Sequence, residues 1–168
     1  MPDRVELVPL SRPHLERTRD WANDPELMRL MDRKQPVSPA EHEAWFASLP
    51  RRADCQYFAI ETVDGRAHIG NIWLWDIDRR HRKAELRVVV GDRGARGKGL
   101  GAEAIDRVCR YAFDTLDLHR VYAYVLGINP SARQAFERAG FSLEGTLRDD
   151  RWAADRFIDS YLLARVNV

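Results

Sequence analysis

Cysteine is scarce in this 168-residue chain, and its two cysteines, Cys55 and Cys109, have neither metal-ligand spacing nor a partner motif. A disulfide framework and a thiolate metal cluster are thereby excluded, no metal is expected, and both residues read as reduced structural thiols. Long apolar runs are also lacking: none approaches the roughly 20 residues of a membrane-spanning helix, and the first ten residues lack the apolar core of a signal peptide. A soluble, cytoplasmic protein without a membrane partner is the expectation. Charge of one sign is missing too, since a net charge of +1 gives no general attraction to nucleic acid. Repeats, low-complexity tracts and linkers are absent. What remains is 45% apolar and 10% aromatic content, enough for one packed core, so a single domain over 1–168 is expected.

The hydrophobic pattern divides this domain. Val5 to Leu10 alternates like an edge strand, and Ser11 with Pro13 opens a helix toward Trp21. Asn23-Asp24-Pro25 caps a second short helix, and Ser38 with Glu41 forms a capping box ahead of a helix over 39–48. From Tyr57 the period becomes two. Tyr57 to Val63, Ala67 to Trp75 and Arg82 to Val90 predict an antiparallel meander, in which Trp73 and Trp75 share one face, as a cover for the sheet or as a ligand platform. That face, or paired edge strands, offers a surface for a homodimer. On the third strand Glu85 and Arg87 share the face opposite Leu86 and Val88.

Next come Gly94 to Gly101, four glycines mixed with Arg93, Arg96 and Lys98, and then an amphipathic helix of about four turns carrying Leu100, Ala104, Ile105, Val108 and Cys109 inward. Glycines let the backbone approach an anion closely, and free amides at a helix start point toward it, so the loop reads as a phosphate cradle. A strand from His119 to Leu126 follows, parallel to the strand ending at Val90. Asn129-Pro130-Ser131 opens a shorter helix. Phe141 to Thr146 and Phe157 to Val166 are predicted as closing strands, with a polar, arginine-rich segment, Arg148 to Arg156, between them. No Gly-Lys-Ser/Thr supports a nucleoside triphosphate loop, and no early βαβ unit supports a dinucleotide site.

Arg96-Gly97-Lys98-Gly99-Leu100-Gly101 matches the Arg/Gln-x-x-Gly-x-Gly/Ala signature of the GNAT acetyltransferase superfamily, between strand and helix as that signature requires. Asn129 to Phe141 resembles the second half of that superfamily's acetyl-CoA site. Glu144-Gly145 with Arg148, Asp159 and Tyr161 is similar to its ribosomal-protein-alanine N-acetyltransferase-like branch. Trp21 to Glu26, Ser38 to Trp45 and Tyr57-Phe58 resemble small-molecule members that acetylate nucleotide-linked amino sugars. The resemblance implies an α/β (α+β) fold: one mixed, mostly antiparallel sheet with a splayed parallel pair and helices on both faces. It also implies a bulge in the strand before the loop. Acetyl-CoA is the implied co-substrate, its pantetheine arm held by Val88, Val89 and Val90 and by Asn129. The amides of Arg96, Gly97, Lys98, Gly99, Leu100 and Gly101 are implied for the pyrophosphate. Asn129 has a second reading as a helix cap.

For catalysis, Glu85 is a candidate base for the incoming ammonium or, equally, a salt-bridge partner of Arg87. Where the superfamily commonly places a tyrosine acid, this chain has Phe136, which moves the role to Ser131, Tyr124, Tyr161 or water. Acceptor candidates are Trp21, Asn23, Asp24, His42 and Trp152, with Trp45, Arg148 and Asp159 beside them. As a group they suit a polar, hydroxylated amine. The leading expectation is an N-acetyltransferase acting on the primary amine of a small molecule, an amino sugar, polyamine or amine antibiotic, by direct attack in a ternary complex. A protein N-terminal acetyltransferase with an open acidic groove and a non-catalytic CoA-binding module are the alternatives.

Overall fold

Period-two alternation from Gln56 onward builds the centre of the molecule in the computed structural model, which describes residues 2–168. Strands β2 (Gln56–Thr62), β3 (His68–Asp78) and β4 (Lys83–Val90) form the expected meander, and β1 (Val5–Pro9) pairs antiparallel with β2. The sheet has seven strands in the order β1-β2-β3-β4-β5-β7-β6, counting β5 (Arg120–Leu126), β6 (Ser142–Ala153) and β7 (Arg156–Val166). All neighbours are antiparallel except β4 and β5. That parallel pair holds for only three residues, Lys83 with Arg120, Ala84 with Val121 and Glu85 with Tyr122. Beyond Glu85 the side of β4 that faces β5 has no strand partner, and this parting is the expected splay.

The chain crosses from β4 to β5 through α4 (Leu100–Asp114), whose residues Ala104, Ile105, Val108, Cys109 and Ala112 are fully buried. They join Ile60, Ile72, Leu74, Leu86 and Val121 in one core. Full burial of a side chain such as Ile105 contributes about 1.5–3 kcal/mol. Both cysteines are buried and free, and burial pushes the Cys109 thiol up to about 12. The opposite face is covered by α1 (Leu15–Ala22), α2 (Pro25–Leu30) and α3 (Pro39–Ser48), the last started by the Ser38–Glu41 capping box. Here Thr18 of α1 meets Asn71, Trp21 lies on Gly91, and Trp45 of α3 meets Tyr57 edge-on at 5.3 Å. The last helix, α5 (Pro130–Arg138), follows β5.

Three expectations are corrected. Arg148 to Arg156 is not a loop: β6 runs to Ala153 and β7 starts at Arg156, around a tight turn in which Ala154 and Asp155 both have positive φ. A two-residue hairpin needs that left-handed pair to match the strand twist. The bulge is not in the strand before the glycine loop. β4 pairs continuously with β3 from Glu85 to Val90, and the register shift falls in β3 between Trp75 and Asp78, where Asp76 has φ 51°. Nor is the Trp73–Trp75 face open for a dimer. Trp73 is buried under a stacked Tyr57 at 4.9 Å, and the guanidiniums of Arg52 and Arg87 cover Trp75 at 4.0 and 5.2 Å.

Candidate active site

The glycine loop holds its shape through its own polar groups. Asp92 accepts from the Ala95 amide, and Arg17 donates to the other carboxylate oxygen at 2.9 Å, which keeps the Asp92 pKa below its ordinary value. Arg96 folds back and donates to the Val90 carbonyl at 2.9 Å and the Gly91 carbonyl at 3.2 Å, fastening the loop to the end of β4. Gly97 and Gly99 have φ of 74° and 79°, left-handed values that suit glycine. Among the described residues the amides of 97–99 have no acceptor, and those of the first α4 turn are free by helix geometry.

These amides open on a cleft of about 360 Å³ between β4, α4, α5 and α2. Val88, Val89 and Val90 form its strand wall, and Arg96, Gly97, Gly99, Leu100 and Gly101 its floor. Asn129 and Ser131 face them from α5. Lys98 does not line the cleft, and its carbonyl accepts from Arg4, which is also paired with Glu103, so that the loop is held from behind while its amide stays free. The capping reading of Asn129 holds, and its side chain also lines the cleft. Its Oδ1 caps α5 by accepting from the Ala132 amide, while its Nδ2 has no partner among the described residues. A cradle of free amides, an unpaired strand edge and a spare carboxamide N–H group fit a pyrophosphate with a peptide-like arm.

A second cavity of about 200 Å³ lies on the far side of β4, beneath α1, α3 and the segment after α2. It meets the first at Val89 and Met31, the two residues that line both. Trp21, His42 and Trp45, three of the acceptor candidates, are on its wall. Tyr57, Trp73, Asn71, Arg33 and Val37 also line it and were not among the candidates, although Tyr57 and Trp73 sit opposite one another in register and could have been found by parity. His42 is buried, and that burial, reinforced by the charges of Arg19 and Arg33, lowers its pKa from 6.5. It stands in the cavity as a neutral imidazole at neutral pH.

The remaining acceptor candidates lie elsewhere. Asn23 spends its carboxamide on Val37, accepting from its amide at 2.7 Å and donating to its carbonyl at 2.9 Å. Asp24 caps α2 through the amides of Glu26 and Leu27. Trp152 packs edge-on against Phe157 on the exposed hairpin, Arg148 is exposed, and Asp159 accepts from the Asp149 amide. The wall that forms is largely aromatic, with Thr18, Arg33, His42 and Asn71 as its polar members.

The proton-transfer candidates divide in the same way. Glu85 is held by Arg87 at 3.0 and 3.3 Å and lines neither cavity. Tyr161 stands opposite Val125 with the Arg133 guanidinium 4.5 Å over its ring, away from both cavity walls. Tyr124 is half exposed on β5 and also outside both cavities. Phe136 is core, 5.0 Å edge-on to Phe141. Ser131 alone of the proposed acids lines the cofactor cleft.

A sheet that parts beside a glycine cradle, with a second cavity meeting the gap, defines a GNAT-type acetyltransferase domain. The chain belongs to that family, matching the Acetyltransferase (GNAT) domain over residues 4–142. It is 34% identical over 91 residues to a spermidine N(1)-acetyltransferase of Vibrio cholerae, covering 54% of this chain and 52% of that protein. To a probable N-acetyltransferase of Bacillus subtilis it is 32% identical over 111 residues, covering 66% and 61%. The chain thus spans little more than half the length of these curated relatives. The crystal structure of a spermidine N-acetyltransferase from Vibrio cholerae in complex with CoA and spermine matches with a TM-score of 0.88 at 26% identity, over 97% of this chain and 95% of that one.

Proposed function

We propose that the protein is an acetyl-CoA-dependent N-acetyltransferase that acetylates the primary amine of a small molecule by direct attack in a ternary complex. The observation that carries this reading is the meeting of the two cavities at Val89 and Met31, where β4 has lost its parallel partner. Acetyl-CoA supplies an acetyl thioester when bound. The amides of 97–101 hold its pyrophosphate, and the free edge of β4 at Val88 to Val90 and the Asn129 Nδ2 hold its arm. Unpaired β4 amides are the donors available to negative charge developing on the acyl oxygen. The amine nitrogen forms a C–N bond as the thioester C–S bond breaks. Its surplus proton leaves through the acceptor cavity, where His42 is the neutral imidazole on the wall, and the thiolate takes a proton from Ser131 or water. A CoA thiolate leaves readily, so positioning supplies much of the rate without a phenol at Phe136.

An acceptor cavity without a carboxylate supports a small molecule over a protein N-terminus, for which an open acidic groove was expected. Spermidine, for which the Vibrio relative is named, lies within the same class of primary amines. We read the whole chain as one domain, since β6 and β7, mostly beyond the matched family stretch, complete the same sheet. For self-association we propose the β6–β7 hairpin, with exposed Leu147, Trp152 and Phe157; a related Vibrio spermidine N-acetyltransferase is dodecameric. The enzymatic reading is tested by calorimetric titration with CoA and by free-thiol release from acetyl-CoA across amines and peptides. Amine-dependent thiol release supports it. CoA binding with silence toward every acceptor would instead mark a binding module.

A further inference from the structure

The acceptor cavity is unlike a site for a polycation. None of its lining residues is a carboxylate, and Arg33 is on its wall. Arg33 and Arg19, whose charges reach His42, make no ion pair among the described residues. The acids that adjoin lining residues in sequence are engaged or turned outward. Asp32 is tied to Arg151 and Glu43 to Arg12, while Asp20, next to Trp21, is exposed. An aromatic wall holds one ammonium through its ring faces, but further ammonium groups would find the unpaired Arg33 guanidinium and no counter-charge on the wall.

A hydroxyl-rich acceptor finds few free partners beside the His42 imidazole and the Arg33 guanidinium. Two of the wall's polar groups are already spent: Asn71 Oδ1 accepts from the His68 Nε2–H at 2.9 Å, and its Nδ2 donates to Thr18. The Thr18 hydroxyl in turn donates to the His14 carbonyl at 2.7 Å. What the cavity offers is flat apolar surface. Tyr57 stacks on Trp73 with 9° between the rings, Trp45 meets Tyr57 edge-on, and Trp21 closes another side. Its volume of about 200 Å³ is below the roughly 300–1,000 Å³ of pockets for drug-sized ligands.

We infer that the acceptor is a small amino carboxylate with a flat apolar body, which lies among Trp21, Tyr57 and Trp73 with its carboxylate toward Arg33 and its amine toward the junction at Val89. The amine's direction rests on the acetyl-transfer reading; the aromatic body and the carboxylate rest on the cavity alone.

Two readouts separate those parts. The probes are L-phenylalanine, L-tryptophan and 4-(aminomethyl)benzoate, with benzylamine, glucosamine and spermidine for comparison. Thiol release should show kcat/KM for at least one amino carboxylate about tenfold or more above those of benzylamine and spermidine, in line with a charge-assisted hydrogen bond gained. Arg33→Ala should raise KM for that substrate about tenfold, leave kcat near its original value, and recover in part in Arg33→Lys. Equilibrium binding, followed without acetyl-CoA by quenching of tryptophan fluorescence with 4-(aminomethyl)benzoate, should weaken by the same factor in Arg33→Ala. A preference for spermidine or glucosamine would overturn the inference while leaving acetyl transfer standing. Binding of the amino carboxylates without turnover of any amine would support the cavity assignment and sink the enzymatic reading. No binding and no turnover of the amino carboxylates would overturn the inference outright.

Discussion

Gly91 is the point at which the end of β4 touches the acceptor wall, and replacing it by alanine perturbs both at once. A Cβ built there lies 2.1 Å from Trp21 Cδ2 and 2.4 Å from its Cγ. These atoms belong to the base of the indole, so a rotation of the far end does not clear them. To restore even the tight limit of 3.4 Å, the ring must retreat by about 1.3 Å from its seat between His68, 4.8 Å away centroid to centroid, and the Arg17 guanidinium at 5.2 Å. Overpacking of this kind costs about 1–3 kcal/mol, and a chain of this size loses about 2–4 °C of Tm per kcal/mol. Gly91→Ala should therefore melt about 2–12 °C lower by calorimetry. Because the displaced ring lines the acceptor cavity and not the cofactor cleft, acceptor KM should rise several-fold while CoA affinity changes little. Adding Trp21→Leu should return most of the lost Tm, since the smaller side chain leaves room for the methyl. An unchanged Tm and KM in Gly91→Ala would refute the seating of Trp21 on β4 and the wall built on it.

Gly99→Asp places a carboxylate and a left-handed non-glycine residue at the start of α4. Calorimetry should find CoA affinity lowered by about tenfold or more with the fold retained, and unchanged affinity would mean that the cradle is misassigned. Glu85→Gln breaks the bidentate pair with Arg87, so kcat/KM should fall by a modest factor that is constant with pH. A loss that shrinks as pH rises would instead restore Glu85 as the base. His42 and His68 both have pKa values lowered from 6.5 by burial. Their depressed values mean that the unfolded chain binds protons which the folded chain refuses. Their contribution is thus complete above 6.5 and declines as pH falls through the window below it. Urea unfolding from pH 7.5 to 5 should show this decline, and His42→Gln combined with His68→Gln should flatten it; an unaltered slope would contradict the burial argument.

The stretch from β4 through the glycine loop to α4 and β5 was legible because three signals change in order: alternation, then glycine with arginine, then a helical apolar stripe from Leu100 to Leu116. The hairpin was not. Arg148 to Ala153 is solvated on both faces, and an edge strand with no buried side carries no apolar alternation to read. Asn23 and Asp24 illustrate a different failure. Carboxamides and carboxylates at a helix break attract a ligand reading, yet the free amides of α2 and the backbone of Val37 claim them first. Arg33 was invisible for the opposite reason, since one arginine among many has no spacing to mark it. Only the folded segment after α2 brings it to the wall that Tyr57 and Trp73 define.

That Val89 and Met31 are, among the described residues, the only side chains common to both cavities has an evolutionary corollary. On the acetyl-transfer reading, nearly every position of the acceptor wall can be exchanged without touching the grip on the acetyl donor, so this scaffold can diversify its clientele by drift in α1, α3 and the 33–38 segment. A designer wishing to redirect the enzyme would leave β4 alone and rebuild the chamber from the outside inward.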